Sequence, residues 1–540
     1  MIRIDNAPET LGRLARRFES NGVLPRIWAH DPTVWGNTSD EVVNRLDWLH
    51  LPFSMQRHLS DIETFAQAVV SEGIEHILLL GMGGSSLAPE TFFRTYGRQA
   101  GHPELMVLDS THPQAIQDAQ QRLNLERTLV IVATKSGGTT ETLSLFRYFF
   151  ARISEFVGPS RAGRQFVAIT DPGSRLVEIA STRGFRELFV SNPNIGGRYS
   201  AFSHFGLVPA ALCGIPISDI LASVRPLASD SALKLRVESN VGAQLGLLLG
   251  AAALEERNKL TFVLSETIES FGTWVEQLIA ESTGKHGLGI VPIVGEVLGD
   301  PCTYRTDRVF AVVGAPGLSI KRKLEALRKA GHPIITLAKL DAQALPQLMY
   351  LWEFATAIAG HVLSINPFDQ PNVESAKRLS RAFIEEHRRT GKLPASDAVP
   401  LSSEGLLQFI DEVPSGYYGI QAYLPPSESL NHALGVLRHR LRTRTRTCTT
   451  LGYGPRFLHS TGQLHKGDSG EGAFAQLVSE RMPELLIPEE DDSGGMPLSF
   501  GALIAAQAAG DRQALQQAGR RVATFVVSSA RQLLEAANTI

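Results

Sequence analysis

Two loops rich in glycine and hydroxyl side chains decide the fold: "LVIVATKSGGTTET" at Leu129–Thr142 and "LLLGMGGSSLAPE" at Leu78–Glu90. Each loop follows a strand-like apolar run. Between residues 76 and 191, five such runs alternate with helical patterns, which is typical of a parallel sheet buried on both faces. We therefore predict a five-stranded, doubly wound α/β domain. Both loops then lie at the carboxyl ends of strands, where sheets of this kind bind ligands.

The length of the chain predicts more than one domain. A single core stops growing at about 250–300 residues, and this chain has 540. A second and looser cycle of strands and helices follows the first, and a polar linker then leads into a smaller α+β pattern. We expect an N-terminal helical segment, two tandem doubly wound parallel-sheet domains and a C-terminal α+β domain. The predicted boundaries are 1–60, 61–215, 216–390 and 391–540.

Composition and charge argue against several kinds of partner. The net charge is -3, so nucleic-acid binding is not expected. No apolar run reaches the roughly 20 residues that a membrane helix needs. The basic run "RHRLRTRTRT" at Arg438–Thr447 is interpreted as a solvated helix end rather than a polyanion site. Cys213, Cys302 and Cys448 are far apart and form no CxxC pair, which favours a reducing, cytoplasmic location.

The chemistry of the two loops favours a phosphate group. A glycine-rich turn that opens a helix directs backbone N–H groups and the positive helix end to one point. The spacing in "GMGGSS" differs from the dinucleotide pattern GxGxxG, and the Walker pattern is absent, so we expect a phosphorylated small molecule rather than a nucleotide cofactor. The predicted binding residues are Gly84, Ser85, Thr134, Lys135, Ser136, Thr139 and Thr142.

These motifs resemble those of the glucose-6-phosphate isomerase family, which is built from tandem sugar isomerase domains. Three further segments carry the resemblance in the family's order: "NIGGRYSAFSHFGLVP" from Asn194, "EQLIAESTGKHGLGIVP" from Glu276 and "INPFDQPNVESAK" from Ile365. The segment "LGYGPRFLHSTGQLHKG" adds a closer likeness to the isomerase half of fused transaldolase/glucose-6-phosphate isomerase proteins. The resemblance implies a metal-free aldose–ketose isomerase, and it also implies a homodimer.

The resemblance assigns catalytic roles to three side chains. Glu281 matches the base that moves a proton between neighbouring carbons, and Gln277, one helical turn earlier, is predicted to bind the substrate. Arg198 matches the cation that stabilises the negative charge of the enediolate. Lys377 matches the lysine that assists ring opening.

The ring-opening histidine of the family is missing from its usual place. The family carries it soon after "ESTGK", in the context HxxxxxxHQG, whereas residues 294–310 here contain no histidine. We predict that His459, in the Gly- and Ser-rich segment "FLHSTGQLHKG", takes this role. Other histidines in or near the matched segments are His204, His286 and His465.

Three functions are compatible with the sequence. The first is interconversion of glucose 6-phosphate and fructose 6-phosphate, with mannose 6-phosphate activity alongside left open. The second is isomerisation of another hexose with an anionic C6 group, such as the sulfonated sugar sulfoquinovose. The third is a non-catalytic sugar-phosphate sensor, against which the joint presence of Glu281, Arg198 and Lys377 argues.

Overall fold

The computed structural model describes residues 2–36, 40–337, 342–393, 397–411, 416–489 and 496–540. The N-terminal segment begins with a strand, although the sequence pattern predicts a helix there. This strand pairs antiparallel with the edge of the second sheet, where it extends a buried face. The elements of the segment are β1 Arg3–Asp5, α1 Leu11–Ser20, α2 Val23–Trp28, α3 Asp40–Val43, α4 Leu51–Ser54 and α5 Leu59–Ser71.

The first sheet is the predicted five-stranded parallel sheet. Its strand order is β3-β2-β4-β5-β6, so the order reverses between β2 and β4. The two quoted loops follow these two adjacent strands and therefore lie at the switch point. The elements are β2 His76–Gly81, α6 Leu87–Tyr96, β3 Glu104–Leu108, α7 Pro113–Arg122, β4 Thr128–Ala133, α8 Thr140–Val157, α9 Pro159–Ala162, β5 Phe166–Thr170, α10 Arg175–Thr182 and β6 Glu187–Val190.

The second sheet repeats the plan, with the order β1-β10-β9-β7-β8. The short strand β8 was not predicted, because its three residues follow the glycine-rich segment "GKHGLGI" without a longer apolar run. The elements are α11 His204–Leu212, α12 Ile217–Leu233, α13 Val241–Leu254, β7 Lys259–Leu264, α14 Phe271–Thr283, β8 Val291–Ile293, β9 Arg308–Val313, α15 Leu318–Lys329, β10 Ile334–Leu337, α16 Leu345–Val362 and α17 Val373–Thr390.

The C-terminal unit differs from the predicted α+β plan, because its sheet is parallel throughout. The order is β11-β15-β14-β12-β13, and helices connect its strands. The helix between β13 and β14 has only six residues, so the sequence suggested two consecutive strands. The elements are β11 Val399–Pro400, α18 Ser403–Asp411, β12 Tyr417–Tyr423, α19 Glu428–Thr445, β13 Cys448–Tyr453, α20 Gly462–Gly467, β14 Gly472–Ser479, α21 Phe500–Gln517, β15 Arg521–Val527 and α22 Ala530–Asn538.

The three units share hydrophobic packing. One large core joins the N-terminal segment, one face of the first sheet, one face of the second sheet and the buried helix α16. The other face of the first sheet is covered in part by Phe500 and Leu503 of α21, from the C-terminal unit. This contact brings the C-terminal unit close to the loops of the first sheet. Within the described residues, no helix is both long enough and apolar enough to cross a membrane.

Candidate active site

The loops after β2 and β4 form a compact polar surface. Ser85 and Thr134 are buried, and the hydroxyl groups of Thr134 and Thr139 lie 2.8 Å apart. Thr142 lies in the first turn of α8, where the helix end favours negative charge. Its hydroxyl group is buried and has no hydrogen-bond partner within the described parts of the chain. An oxygen-rich ligand at this helix end would supply the missing partner.

Two glycines of the loop after β2 let other segments approach its backbone. A Cβ atom on Gly84 would lie 2.1 Å from the carbonyl oxygen of Gly197. Gly83 has a φ of +55°, and a Cβ there would lie 2.6 Å from Nε2 of Gln277 and 2.7 Å from the carbonyl oxygen of His459. The loop therefore contacts the segments that carry Arg198, Gln277 and His459.

Glu281 and Arg198 form a buried ion pair. Nη1 of Arg198 lies 3.3 Å from Oε2 of Glu281, and both side chains are less than a tenth exposed. Arg198 also donates from Nε to Oγ of Ser282 at 2.9 Å. Its Nη2 donates to the carbonyl oxygens of Pro367 and Asp369, at 2.7 and 2.9 Å. These bonds fix the guanidinium group before any ligand arrives.

The surroundings of Glu281 tune its basicity. Burial raises the pKa of this carboxyl group, and the charges of Arg198, His459 and Lys377 oppose that rise in part. Gln277, one turn earlier on α14, donates from Nε2 to the carboxylate at 3.4 Å. A carboxylate with a raised pKa binds a proton more strongly than an ordinary one, which suits a group that takes up and returns a proton.

His459 is held against the first sheet by a second glutamate. Its Nε2 lies 3.0 Å from Oε1 of Glu141, and its carbonyl oxygen accepts a 2.7 Å hydrogen bond from Nε2 of Gln277. Gln507 of α21 donates to the same Glu141 oxygen at 2.8 Å, while its Oε1 accepts from Thr111 at 2.7 Å. The C-terminal unit thus contributes His459 to the site, and it also contributes Gln507, which holds Glu141, the partner of His459.

The electrostatics of Glu141 match this arrangement. Burial on its own would raise the pKa of Glu141, but the charge of His459 and the hydrogen bond from it outweigh burial, so the pKa is lowered. Lys377 acts in the same direction. A glutamate that stays ionised orients the imidazole ring of His459 through one nitrogen and leaves the other nitrogen for a ligand.

Lys377 stands at the edge of the site on α17. Its side chain is 40% exposed and lies 3.8 Å from Glu374. It is close enough for its charge to act on both Glu281 and Glu141. Arg198 thus contacts Glu281 directly, and His459 and Lys377 are close enough for their charges to act on it.

The other histidines lie apart from this group. His465 is buried against Phe474, and burial lowers its pKa well below the usual value. His204 packs against His58 and Phe189. His286 is exposed. Of these histidines, His459 alone contributes to the electrostatics of Glu281 among the described residues.

The predicted phosphate lysine already has a partner. Nζ of Lys135 forms an ion pair with Asp171 and donates to the carbonyl oxygen of Pro193 at 3.0 Å. Burial lowers the pKa of Lys135, although Asp171 opposes this change. Ser136, next to it, is exposed. An anion at this loop would share the ammonium group with Asp171.

The sequence reasoning missed several side chains around the site. Lys285 is fully buried and donates to the carbonyl oxygens of Asn366 and Asp369, at 2.7 and 2.6 Å. Lys285 and Arg198 therefore both donate hydrogen bonds to the segment that contains Asp369. Because Lys285 is the last residue of the motif "ESTGK", the sequence could have indicated that it lies near the site. Glu141 lies inside "TKSGGTTET", whereas no sequence pattern distinguishes Gln507 or Thr111.

The comparisons with known proteins agree with this fold. The model of a family described as phosphoglucose isomerase matches residues 54–290. Glucose-6-phosphate isomerase from Rubrobacter xylanophilus is 28% identical over 386 residues, which are 62% of this chain and 88% of that protein. The Campylobacter jejuni protein of the same name is 27% identical over 356 residues, covering 58% of this chain and 86% of that one.

Two solved structures share the fold. A hypothetical protein from Thermus thermophilus has a TM-score of 0.61 at 25% identity, covering 71% of this chain and 100% of that one. A glucose-6-phosphate isomerase from Chlamydia trachomatis has a TM-score of 0.52 at 19% identity, covering 72% of this chain and 81% of that one.

The family-model match and the named relatives indicate an enzyme of the aldose–ketose isomerase class. The matches confirm the predicted resemblance to the glucose-6-phosphate isomerase family. The closer likeness to fused transaldolase proteins stays a prediction, as do the individual residue roles and the domain boundaries.

Proposed function

We propose that the protein interconverts glucose 6-phosphate and fructose 6-phosphate with Glu281 as the base. The observation that carries this proposal is the buried pair of Glu281 and Arg198 beside two loops suited to a phosphate group. Relatives named glucose-6-phosphate isomerase support the same substrate. A pure sensor would need the loops without a buried base of raised pKa.

In the proposed reaction, Glu281 removes the proton from C2 of the open-chain aldose and returns it to C1. The intermediate is a cis-enediolate, whose oxygens carry negative charge, and the hydroxyl proton of O2 passes to O1 so that the ketose forms. The guanidinium group of Arg198 lies next to the carboxylate and is fixed by Ser282 and two carbonyl oxygens, so it can stabilise that charge without reorganising. General base catalysis of this kind typically contributes about 10²–10⁴-fold in rate.

Ring opening is assigned to His459 together with Lys377. The sugar ring opens when one group delivers a proton to the ring oxygen and another removes one from the C1 hydroxyl. Glu141 holds Nε2 of His459, which leaves Nδ1 for the sugar. Lys377 is partly exposed at the rim and so is accessible to a substrate.

Substrate binding is assigned to the two loops and to Gln277. The phosphate group would lie at the start of α8, near Ser85, Thr134 and Thr139. The Oε1 atom of Gln277 and the hydroxyl group of Thr142 are both buried without a partner within the described residues. A sugar hydroxyl group and a phosphate oxygen, respectively, would satisfy them.

The first test is a coupled assay that converts fructose 6-phosphate to glucose 6-phosphate with metals chelated, beside the same assay on a C6-sulfonated ketose. Turnover of the phosphate with chelator present is the expected result. Turnover of the sulfonated sugar alone would support the isomerase reaction but refute the proposed phosphate substrates. Absence of turnover on both, with sugar phosphate still bound, would leave the sensor function.

A pair of glutamate variants tests the base. We expect Glu281→Gln to lower kcat by about 10²-fold or more while sugar-phosphate binding persists. Glu63→Gln is the control, since Glu63 is an exposed glutamate of α5 that lies outside the site. Equal turnover in the Glu281 variant and the wild type would remove the catalytic assignment. The homodimer and the cytoplasmic location remain predictions.

A further inference from the structure

The second sheet has an open cleft at its own switch point. Its volume is about 1840 Å³, and its walls include residues 262–267, 294–298 and 315–317, which form or follow the carboxyl ends of β7, β8 and β9. The strand order reverses between β7 and β9, as it does between β2 and β4 in the first sheet. Doubly wound sheets bind ligands at such points, so the cleft is the counterpart of the phosphate-binding loops.

The far wall of the cleft comes from the C-terminal unit. It includes Arg438, Arg442 and Arg456, from α19 and from the 3₁₀ turn that ends in His459. The basic run was interpreted as a solvated helix end, yet Arg442 is 2% exposed, and Arg438 donates to the carbonyl oxygens of Val294 and Thr449 at 2.9 Å each. Arg438 and Arg442 therefore join the C-terminal unit to the second sheet, whereas Arg456 pairs with Glu90 and Asp109 beside the first sheet.

The charges in the cleft favour hydroxyl groups over a polyanion. Five glutamates line the cleft beside five arginines, so the fixed charges of these side chains balance. A polyphosphate would meet as many repulsive as attractive groups. Sugar hydroxyl groups both donate and accept hydrogen bonds, and therefore suit walls that mix carboxylates, guanidinium groups and serine and threonine side chains.

Glu276 is the free polar group of the cleft. It lies on α14 directly before Gln277 and borders the cavity. Its carboxyl group makes no hydrogen bond to any residue that the structure describes. Burial raises its pKa to about 7, although the charges of Arg438 and Arg456 oppose this rise. A carboxyl group near its titration point both donates and accepts, as a polyol requires.

We propose that this cleft is a second binding site, for a polyhydroxylated ligand of the sugar or sugar-phosphate class, and that its occupancy alters turnover at Glu281. The effect on turnover rests on the proposed function, whereas binding does not. The cleft and the active site share two walls: α14, which carries Glu276 and Glu281, and the 3₁₀ turn that carries Arg456 and His459. The hydrogen bond from Gln277 to the His459 carbonyl oxygen joins these walls.

The test fills the cleft from a position with free space. A Cβ atom on Gly435 of α19 meets no atom within 4 Å, and this glycine borders the cleft. Gly435→Phe therefore introduces a bulky ring at the border of the cleft from a Cβ position that is free of contacts. The matched control is Gly12→Phe in α1, where the nearest atom to a Cβ is a flexible arginine end at 3.8 Å. Circular dichroism verifies that both variants fold.

The probes are sorbitol 6-phosphate and sorbitol, which have no carbonyl group to isomerise. For the wild type and Gly12→Phe, calorimetric titration with sorbitol 6-phosphate should give two binding events per chain. Gly435→Phe should give one. In the coupled assay, inhibition by sorbitol 6-phosphate should change from mixed in the wild type and Gly12→Phe to purely competitive in Gly435→Phe.

Sorbitol distinguishes the two ligand sources. If sorbitol binds and Gly435→Phe abolishes this binding, the cleft accepts neutral sugars. If only sorbitol 6-phosphate gives a binding event that Gly435→Phe abolishes, the cleft accepts sugar phosphates. A single event in the wild type, or two that persist in Gly435→Phe, would overturn the proposal. Two events in a protein without isomerase activity would overturn the proposed function and leave the second site standing.

Discussion

The contact between Gly84 and Gly197 offers a sharp test of the site geometry. In Gly84→Ala, the new Cβ would lie 2.1 Å from the carbonyl oxygen of Gly197. Real Cβ contacts rarely fall below 3.0 Å, so one segment must move by about 1 Å. Arg198 is the next residue along the displaced segment, and its 3.3 Å contact with Glu281 would lengthen in proportion.

The magnitude follows from the geometry of catalysis. A displacement of about 1 Å in a positioned group can lower the rate by about 10²-fold, and overpacking typically costs about 1–3 kcal/mol of stability. We therefore expect kcat for fructose 6-phosphate to fall by about 10²-fold in Gly84→Ala, with the protein still folded at 25 °C. The measurements are steady-state kinetics and urea unfolding.

The control is Gly196→Ala in the neighbouring segment. Its Cβ would lie 3.6 Å from Tyr199, an ordinary contact, and its φ of -68° suits alanine. We expect its kcat to stay within about twofold of wild type. If Gly84→Ala also keeps wild-type turnover, the packing of the phosphate loop against the Arg198 segment does not position the catalytic cation, and that part of the reasoning is refuted.

Three further predictions concern charged groups. Glu141→Gln should lower kcat by about 10-fold or more with little change in KM, because His459 loses its charged partner; steady-state kinetics on the cyclic substrate measures this, and an unchanged kcat would contradict it. The acid limb of the kcat/KM profile should lie above the ordinary glutamate pKa, because burial raises the pKa of Glu281. In Arg198→Gln, the acid limb of the residual activity should move to still higher pH, because the variant removes a charge that lowers this pKa. A shift of that limb towards acid pH would refute the pairing of Arg198 with Glu281. Burial lowers the pKa of His112 to about 4, so the unfolded chain binds a proton that the folded protein does not, and stability should fall as the pH drops from 6.5 to about 4, by up to about 3 kcal/mol for this residue. The test is His112→Asn, because asparagine can still accept the hydrogen bond from the Gln114 backbone N–H at the start of α7. This variant should flatten the pH dependence of the unfolding midpoint. An unaltered pH dependence would show that other groups cause the loss of stability.

The sequence predicted those parts of the molecule that local patterns determine. All five strands of the first sheet follow from short apolar runs, and the matched motifs located Glu281, Arg198 and the two loops. The strand β1 was missed because three residues carry too little periodicity, and its partner β10 is distant in the chain, with Ile4 opposite Ile335. The parallel C-terminal sheet was missed because the helix between β13 and β14 is too short to show a helical period.

The candidate site was predictable as far as its motifs reach. His459 was named from its glycine- and serine-rich setting, but Glu141 was not recognised as its partner. The role of Gln507 depends on tertiary packing alone, since α21 carries no motif. Likewise, Lys135 was predicted to bind phosphate, but its ion pair with Asp171 was not, because Asp171 lies 36 positions later and only the fold brings it near.

The bond between Thr111 and Gln507 spans 396 positions of the chain, and the one between Glu141 and His459 spans 318. A ribosome makes roughly 5–20 residues per second, so these later partners emerge tens of seconds after the loops that they complete. During that interval the first two sheets can fold around Glu281 and Arg198 while His459, the proposed ring-opening histidine, is still missing. A nascent chain is therefore expected to bind sugar phosphate before it can open the sugar ring.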